Sequence, residues 1–260
     1  MSSHHKTVIA QFSRMADAFA IAPQFTDLEA LDVLLHMTNA SIADNSLDVA
    51  CGAGIVASHF AARVAHATGI DLTPAMLAKA RERQSSLNLN NLTWIEGDVA
   101  KLPFPDHHFS VVTSRFALHH MADPSRVFQE IVRVCKPHGR IVISDISLPN
   151  DQDIAEAFNR IEANNDPSHV SALTENEWSA LFKRSDLSDM QQTRYQVSLP
   201  LNRLLEAGKA ASDVRSAIEH EIRQYATATT PPCFAKLEAD CIMFTYPIAV
   251  MCATKLNFIT

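Results

Sequence analysis

The sequence predicts an α/β protein built on a doubly wound, parallel sheet. Three observations carry that prediction. Short apolar runs alternate with helical patterns five times between Ser46 and Ser144. The first run ends in a glycine turn, Gly52-x-Gly54, that opens a helix. The second run ends in an acid, Asp71. Parallel neighbours need long crossovers, and helices supply them with one hand. Ligands of such sheets sit beyond the carboxyl ends of the strands, so residues at those ends are the first site candidates.

Residues 7–39 read as amphipathic helices, with Val8, Phe12, Met15 and Phe19 at helical spacing. Ile21–Phe25, with Pro23, breaks the pattern. Asp27–Met37 resumes it, with Leu28, Leu31, Leu34 and Leu35 on one side. Phe12 and Phe19 suit either core packing or a lid over a ligand. Leu47 and Val49 are strand-like. Gly52 and Gly54 fall where a side chain would obstruct the turn. Ile55–Ala65 is helical in pattern, and Gly69-Ile70 leads into Asp71. Thr73 suits an N-cap and Pro74 the first helical position, in a helix to about Leu87. Asn88–Asn91 is a turn, and Thr93–Glu96 a third strand ending at Gly97-Asp98. Lys101–His108 is a loop. Phe109–Thr113 is a fourth strand that runs into Ser114–His120. Asp123-Pro124 caps a helix through Val134, and Lys136–Gly139 turns into a fifth strand, Arg140–Ser144.

Beyond Ser147 the rhythm changes. Asp151–Asn164, Glu175–Arg184, Leu201–Gly208 and Ala211–Tyr225 read as helices. Gln192–Leu199 reads as a strand, Thr227–Cys233 as a loop and Met243–Thr254 as a closing strand. The expected division is a helical N-terminal lid over 1–40, a nucleotide-binding core over 41–150, and the rest of the core over 151–260. A helical cap at about 201–235 belongs to the last part.

A chain of 260 residues fits one domain, or a domain with a cap. With 47% hydrophobic and 20% charged residues it is globular. The net charge of -7, without a long basic run, offers no face for a nucleic acid. Cys51, Cys135, Cys233, Cys241 and Cys252 are scattered and form no CxxC, which points to a reduced, cytoplasmic protein. The N-terminal MSSHHKTVIAQ has no signal-peptide core. The longest apolar stretch, Cys241–Ala253, is broken by Thr245 and Pro247, so no membrane span is expected. The adjacent pairs His4-His5, His107-His108 and His119-His120 lack zinc-ligand spacing, so no metal is expected.

Gly52-x-Gly54-x-x-Ala57 fits the dinucleotide fingerprint, and Asp71 lies at a suitable distance to bind a ribose. An NAD(P)-dependent oxidoreductase is therefore one reading. Three features point elsewhere. Asp48 sits inside the strand before the turn, Asp98 ends the third strand, and the fourth runs into the polar-aromatic Ser114–His120. The series Asp48-Val-Ala-Cys-Gly52-Ala-Gly54, Asp71, Gly97-Asp98 resembles the motifs of class I S-adenosylmethionine-dependent methyltransferases. LDVACGAG, GIDLTPAMLAKAR, LPFPDHHF, SRFALHHMADP and RVCKPHGRIVISD are similar to the small-molecule group (type 11 domain) that includes the ubiquinone/menaquinone C-methyltransferases. The motifs occur in order over about residues 8–190. Asn165-Asp-Pro-Ser-His-Val170, then Thr174-x-x-Glu177-Trp178, resembles a largely uncharacterised branch. Ala50 stands where the family has its first glycine, one small residue for another.

The resemblance implies a Rossmann-like, seven-stranded sheet with an antiparallel last strand, Met243–Thr254. It also implies S-adenosyl-L-methionine as cofactor and a small, partly apolar molecule as acceptor. Asp48, Ala50, Gly52 and Gly54 then form the turn that admits the methionine part, with the next helix N-terminus toward its carboxylate. Asp71 accepts from both ribose hydroxyls. Leu72 and Met76 wall the adenine, Asp98 accepts from its amino group, and Val99 packs beside it. Ser114, Arg115 and Phe116 line the methionine and sulfonium side. If the acceptor must lose a proton, His119, His120 and His169 are the candidate bases. Several of these residues also have plainer readings. Asp48 fits a helix-capping acid, Asp98 a turn residue, Arg115 a surface salt-bridge partner, and Cys51 a small buried residue. The three histidines fit loop braces. A non-enzymatic or non-methylating S-adenosylmethionine binder is a further functional reading. The acceptor atom and the oligomeric state stay open.

Overall fold

A computed structural model describes residues 2–183, 186–208, 210–230, 232–239 and 241–257. Its sheet begins with β1 (Asn45–Val49), β2 (His66–Asp71), β3 (Leu92–Glu96), β4 (Phe109–Arg115) and β5 (Cys135–Leu148). These five run parallel in the order β3-β2-β1-β4-β5. The chain winds outward in one direction from β1 and in the other from β4. The crevice beyond the ends of those two strands is the switch point of a doubly wound sheet. The strands are apolar because both faces are covered: Leu47, Val49, Val111, Val112, Ile141, Val142 and Ile143 are all fully buried.

Helices cover both faces. On one, α6 (Pro124–Val134) and α8 (Glu175–Lys183) lay Phe128, Ile131, Trp178 and Phe182 against Leu47, Val112 and Ile143. On the other, α3 (Leu28–Thr38) and α4 (Ile55–Ala61) lay Leu31, Leu34, Val56 and Phe60 against Val111, Val142 and Val250. Asp123 caps α6 by accepting from the Arg126 amide at 2.9 Å, as the sequence suggests. Thr73 precedes α5 (Pro74–Ser86) without a side-chain capping bond. Asp71 takes the Thr73 amide instead. Leu28 is 65% exposed, because the first residue of α3 lies off its inward stripe.

The second half extends the sheet. β9 (Cys241–Lys255) runs antiparallel beside β5, and β7 (Leu187–Pro200) antiparallel beside β9. Seven strands lie on the main path, and two short ones, β6 (Leu173–Thr174) and β8 (Ala235–Glu238), pair off it. β7 is longer than expected because its first half is a polar edge with no apolar alternation. β5 is longer because Ile146 and Leu148 continue it into a separate apolar cluster. That cluster gathers Phe158 of α7 (Gln152–Asn165), Leu204 and Leu205 of α9 (Leu201–Gly208), Ile222 of α10 (Ser212–Ala226), and Phe244. The expected helix end at Arg184 and Pro231 of the expected loop lie outside the described residues. The N-terminal helices α1 (Ser3–Ile21) and α2 (Pro23–Thr26) cross the carboxyl end of the sheet. Among the described residues no helix is long and apolar enough to cross a membrane.

Candidate functional site

The turn after β1 is wound left-handed at three residues: Ala50 at φ 57°, Gly52 at 51° and Gly54 at 73°. The two glycines serve different ends. A Cβ on Gly54 would lie 2.5 Å from the Trp94 ring and 2.8 Å from the Ala80 Cβ, so that glycine is required by packing. A Cβ on Gly52 would meet nothing within 4 Å. It would project into open space where a ligand can approach the backbone. Ala50 holds its left-handed conformation at a cost of about 1 kcal/mol. Cys51 is a small buried residue behind this turn, and burial with two nearby carboxylates pushes its thiol well above the ordinary range.

Asp71 ends β2 with both oxygens anchored. Oδ2 accepts from the Gly52 amide and Oδ1 from the Thr73 amide, each at 2.8 Å. The Thr73 hydroxyl and the Leu72 amide also act on it as donors, so the carboxylate is held in a fixed orientation at the cavity edge. Burial raises its pKa, against the pull of those amides. Asp48 takes the capping role from inside β1. Its Oδ2 accepts from the Ala57 amide at 3.0 Å and its Oδ1 from the Thr113 hydroxyl at 3.1 Å. Burial pushes it to about 7 despite those bonds. Ala57 is the third residue of α4, so Asp48 already occupies an amide of the helix end expected to face a ligand carboxylate. Asp98 serves its turn through Oδ1, which accepts from the Ala100 amide at 2.9 Å, while Oδ2 lies 3.7 Å from His5 Nε2.

These groups converge on a cavity of about 390 Å³ at the switch point. Asp48, Ala50, Gly52, Asp71, Leu72, Met76, Asp98, Val99, Arg115 and Phe116 all line it. Gly54 and Ser114 do not. Ser114 is fully buried in β4 and donates its hydroxyl to the Val49 carbonyl at 2.9 Å, which ties β4 to β1. Neighbours along a strand face opposite ways, so Arg115 points differently. It donates to the carbonyls of Phe25 at 2.7 Å and Gln24 at 3.3 Å, and its guanidinium sits 4.6 Å from the Phe116 ring centre. It thus ties α2 to the sheet and is no surface ion pair. Val8, Phe12 and Phe19 of α1 line the cavity, and Phe12 and Phe19 also pack on Ala16, Ala53 and Met76.

A second cavity, of about 180 Å³, lies behind an aromatic partition. Phe19, Phe25, Phe116 and His120 line both spaces. Phe19 stacks on Phe25 at 4.4 Å, and Phe25 meets Phe116 edge-on at 5.8 Å. His119 faces the second cavity. Its Nδ1 donates to Asp145 Oδ1 at 2.5 Å, while its Nε2 has no partner among the described residues. Asp145 is clamped: Oδ2 accepts from the Ala117 and Leu118 amides at 3.0 and 2.8 Å, and Oδ1 from the Ile146 amide at 2.7 Å. Burial opposes charge on His119, but the field and hydrogen bond of Asp145 outweigh it and raise its pKa. Burial likewise opposes charge on Asp145, and His119 with the amides lowers it.

The other two histidines differ. His120 is pushed well below its ordinary value by burial and by His119, and its Nδ1 lies 3.1 Å from the Ser168 hydroxyl. His169 lines neither cavity. It braces its loop, with Nε2 2.8 Å from Asn159 Oδ1, and burial lowers it to about 3.

Three polar residues of the second cavity and its wall escape sequence reasoning. Asp145 is an acid near the end of a strand, the same signal that marks Asp71, and so was within reach. Glu162 on α7 and Tyr246 on β9 meet across 84 positions, where the Tyr246 hydroxyl donates to Glu162 Oε1 at 3.1 Å. Only the inward face of α7, with Phe158, Ile161 and Asn165, hints that Glu162 is inside. Burial raises Glu162 to about 7, against the Tyr246 bond and the charge of His119.

Residues 47–143, which hold β2 to β4, parts of β1 and β5, the glycine turn, Asp48, Asp71 and Asp98, match the methyltransferase domain family. The chain carries a methyltransferase domain. Its methyltransferase relatives include the uncharacterized methyltransferase YcgJ of Bacillus subtilis, 28% identical over 202 residues, or 78% of this chain and 80% of YcgJ. The 2-phytyl-1,4-naphtoquinone methyltransferase of Nostoc is 34% identical over 125 residues, which spans 46% of this chain but only 55% of that protein. The crystal structure of YcgJ superposes with a TM-score of 0.82 at 25% identity, covering 88% of this chain and 99% of YcgJ.

Proposed function

We propose that this protein transfers a methyl group from S-adenosylmethionine to a small, partly apolar molecule. The observation that carries the proposal is Asp71. Both its oxygens are fixed by backbone amides at the cavity wall beside Gly52, whose missing side chain leaves the wall open. That pairing suits a sugar diol next to an amino-acid tail. Leu72, Met76 and Val99 offer apolar walls for a purine, and Asp98 an acceptor at its edge. When bound, the donor supplies a methyl group already activated on sulfur. What this chain adds is position and exclusion of water: α1 roofs the cavity, and Arg115 holds α2 against it.

The second cavity takes the acceptor, beyond the aromatic partition. Where the acceptor must lose a proton, His119 receives it at Nε2, with Asp145 orienting the ring and stabilising the charge that results. A naphthoquinone substrate, named for one relative, agrees with an apolar ring in such a pocket. Asp48 weighs against a dinucleotide. It holds the helix amide that a pyrophosphate would need and sets an acid where phosphate charge would fall.

Calorimetric titration tests the reading. S-adenosylhomocysteine should bind at one site, NADH should not, and Asp71→Ala should weaken the nucleoside by more than about tenfold. Tight NADH binding without S-adenosylhomocysteine binding would overturn it.

A further inference from the structure

We infer that the second cavity selects an acceptor that donates hydrogen bonds and carries no negative charge, with the Glu162 carboxyl as the selecting group. This rests on the reading of that cavity as the acceptor side. Glu162 is 7% exposed and projects from α7 onto the cavity wall. Tyr246 satisfies its Oε1, while Oε2 makes no hydrogen bond to a described residue and lies open to the cavity. An occupant that donates a hydrogen bond can take the place of water at that oxygen.

The surroundings set the sign of charge that is tolerated. Glu162 and Asp166 line the cavity, and no lysine or arginine does so among the described residues. Arg14 on α1 stands outside the lining, its guanidinium already donating to Gln11 and to the Gly208 carbonyl at 3.4 Å at the cavity's edge. The one raised histidine, His119, is already matched by Asp145. Asp166 Oδ1 takes the amide and hydroxyl of Ser168, and its Oδ2 adds a second acid oxygen beside Glu162. A carboxylate or phosphate on the acceptor would find acids and no free cation. Met15, Ile146, Leu199, Leu204 and Ile248 make the rest of the wall apolar. The occupant this describes has a compact apolar body bearing a hydroxyl or a neutral amine. Such a group can reach Glu162 Oε2.

Three probes of one shape test this: 1-naphthol, 1-naphthylamine and 1-naphthoate, titrated by calorimetry at about pH 8, above the value of about 7 at which Glu162 ionises, into the full chain saturated with S-adenosylhomocysteine. Naphthol and naphthylamine should bind, and naphthoate at least about tenfold more weakly, since like charges brought together are strongly disfavoured. Glu162→Gln should close most of that gap. Naphthoate binding as tightly as naphthol, a gap unchanged in Glu162→Gln, or no naphthol binding up to its solubility would overturn the inference. The wild-type comparison stands even if the glutamine variant does not fold. S-adenosylhomocysteine binding, measured first on the same preparation, reports separately on the donor side.

Discussion

The two cavities share a wall of four aromatic rings but are built by different means. The first is made mostly of backbone: a left-handed turn, three strand ends and amides that fix Asp71. Its polar residues sit at successive strand ends, from Asp48 through Asp71 to Asp98. The second is made of side chains from α1, α2, α7, α9, β7 and β9, brought together only by the tertiary fold. The difference teaches that a ligand common to a whole family can be held by local chain geometry. A ligand peculiar to one member is held by side chains that the cap is free to change.

Asp145 offers the hardest blow to that contrast. Asp145→Asn removes the charge and one of the two oxygens that accept from three amides and an imidazole, and should cost about 3 kcal/mol or more in chemical denaturation. S-adenosylhomocysteine affinity should survive in the folded fraction. If it is lost in proportion, the cavities are not separable.

The pH dependence of Glu162 comes next. In the fold it titrates at about 7 against an ordinary value of 4.5, held there by burial, with Tyr246 and His119 pulling it down and Asp166 pushing it up. The native state therefore binds this proton more tightly than the unfolded chain. The contribution of Glu162 to stability is full below 4.5, falls as pH rises toward 7, and is flat beyond. Relative to wild type, Glu162→Gln should gain up to roughly 3 kcal/mol across that window. Denaturation curves at several pH values check this, and a constant difference would contradict it.

The two glycines sharpen the contrast within the donor side. Gly54→Ala forces a Cβ onto Trp94 and should cost about 2 kcal/mol or more. Gly52→Ala has room, so it should cost only about 1 kcal/mol for its left-handed backbone yet weaken S-adenosylhomocysteine binding. The smallest effect belongs to His169. His169→Ala should cost about 1 kcal/mol for the lost bond to Asn159 and leave nucleoside binding unchanged.

Legibility in the sequence follows the same divide. The parallel strands were readable because strands buried on both faces must be apolar, and the turn because only small residues tolerate its backbone. Ser114 and Arg115 could not be told apart, since neighbours on a strand face opposite ways and the sequence does not say which way is the cavity. The cap role of Asp48 depends on an amide nine residues away, so both of its readings stayed open until α4 was placed. The polar edge of β7 carries no apolar signal, which hid its length. Glu162 and Tyr246 are joined only by folding.

A crystal structure with S-adenosylhomocysteine bound tests the central claim most directly. Both ribose hydroxyls should donate to Asp71, and the sulfur should face Phe116 and His120, with the second cavity beyond them. A nucleoside that left Asp71 free, or a sulfur turned away from that partition, would contradict the assignment of the two cavities.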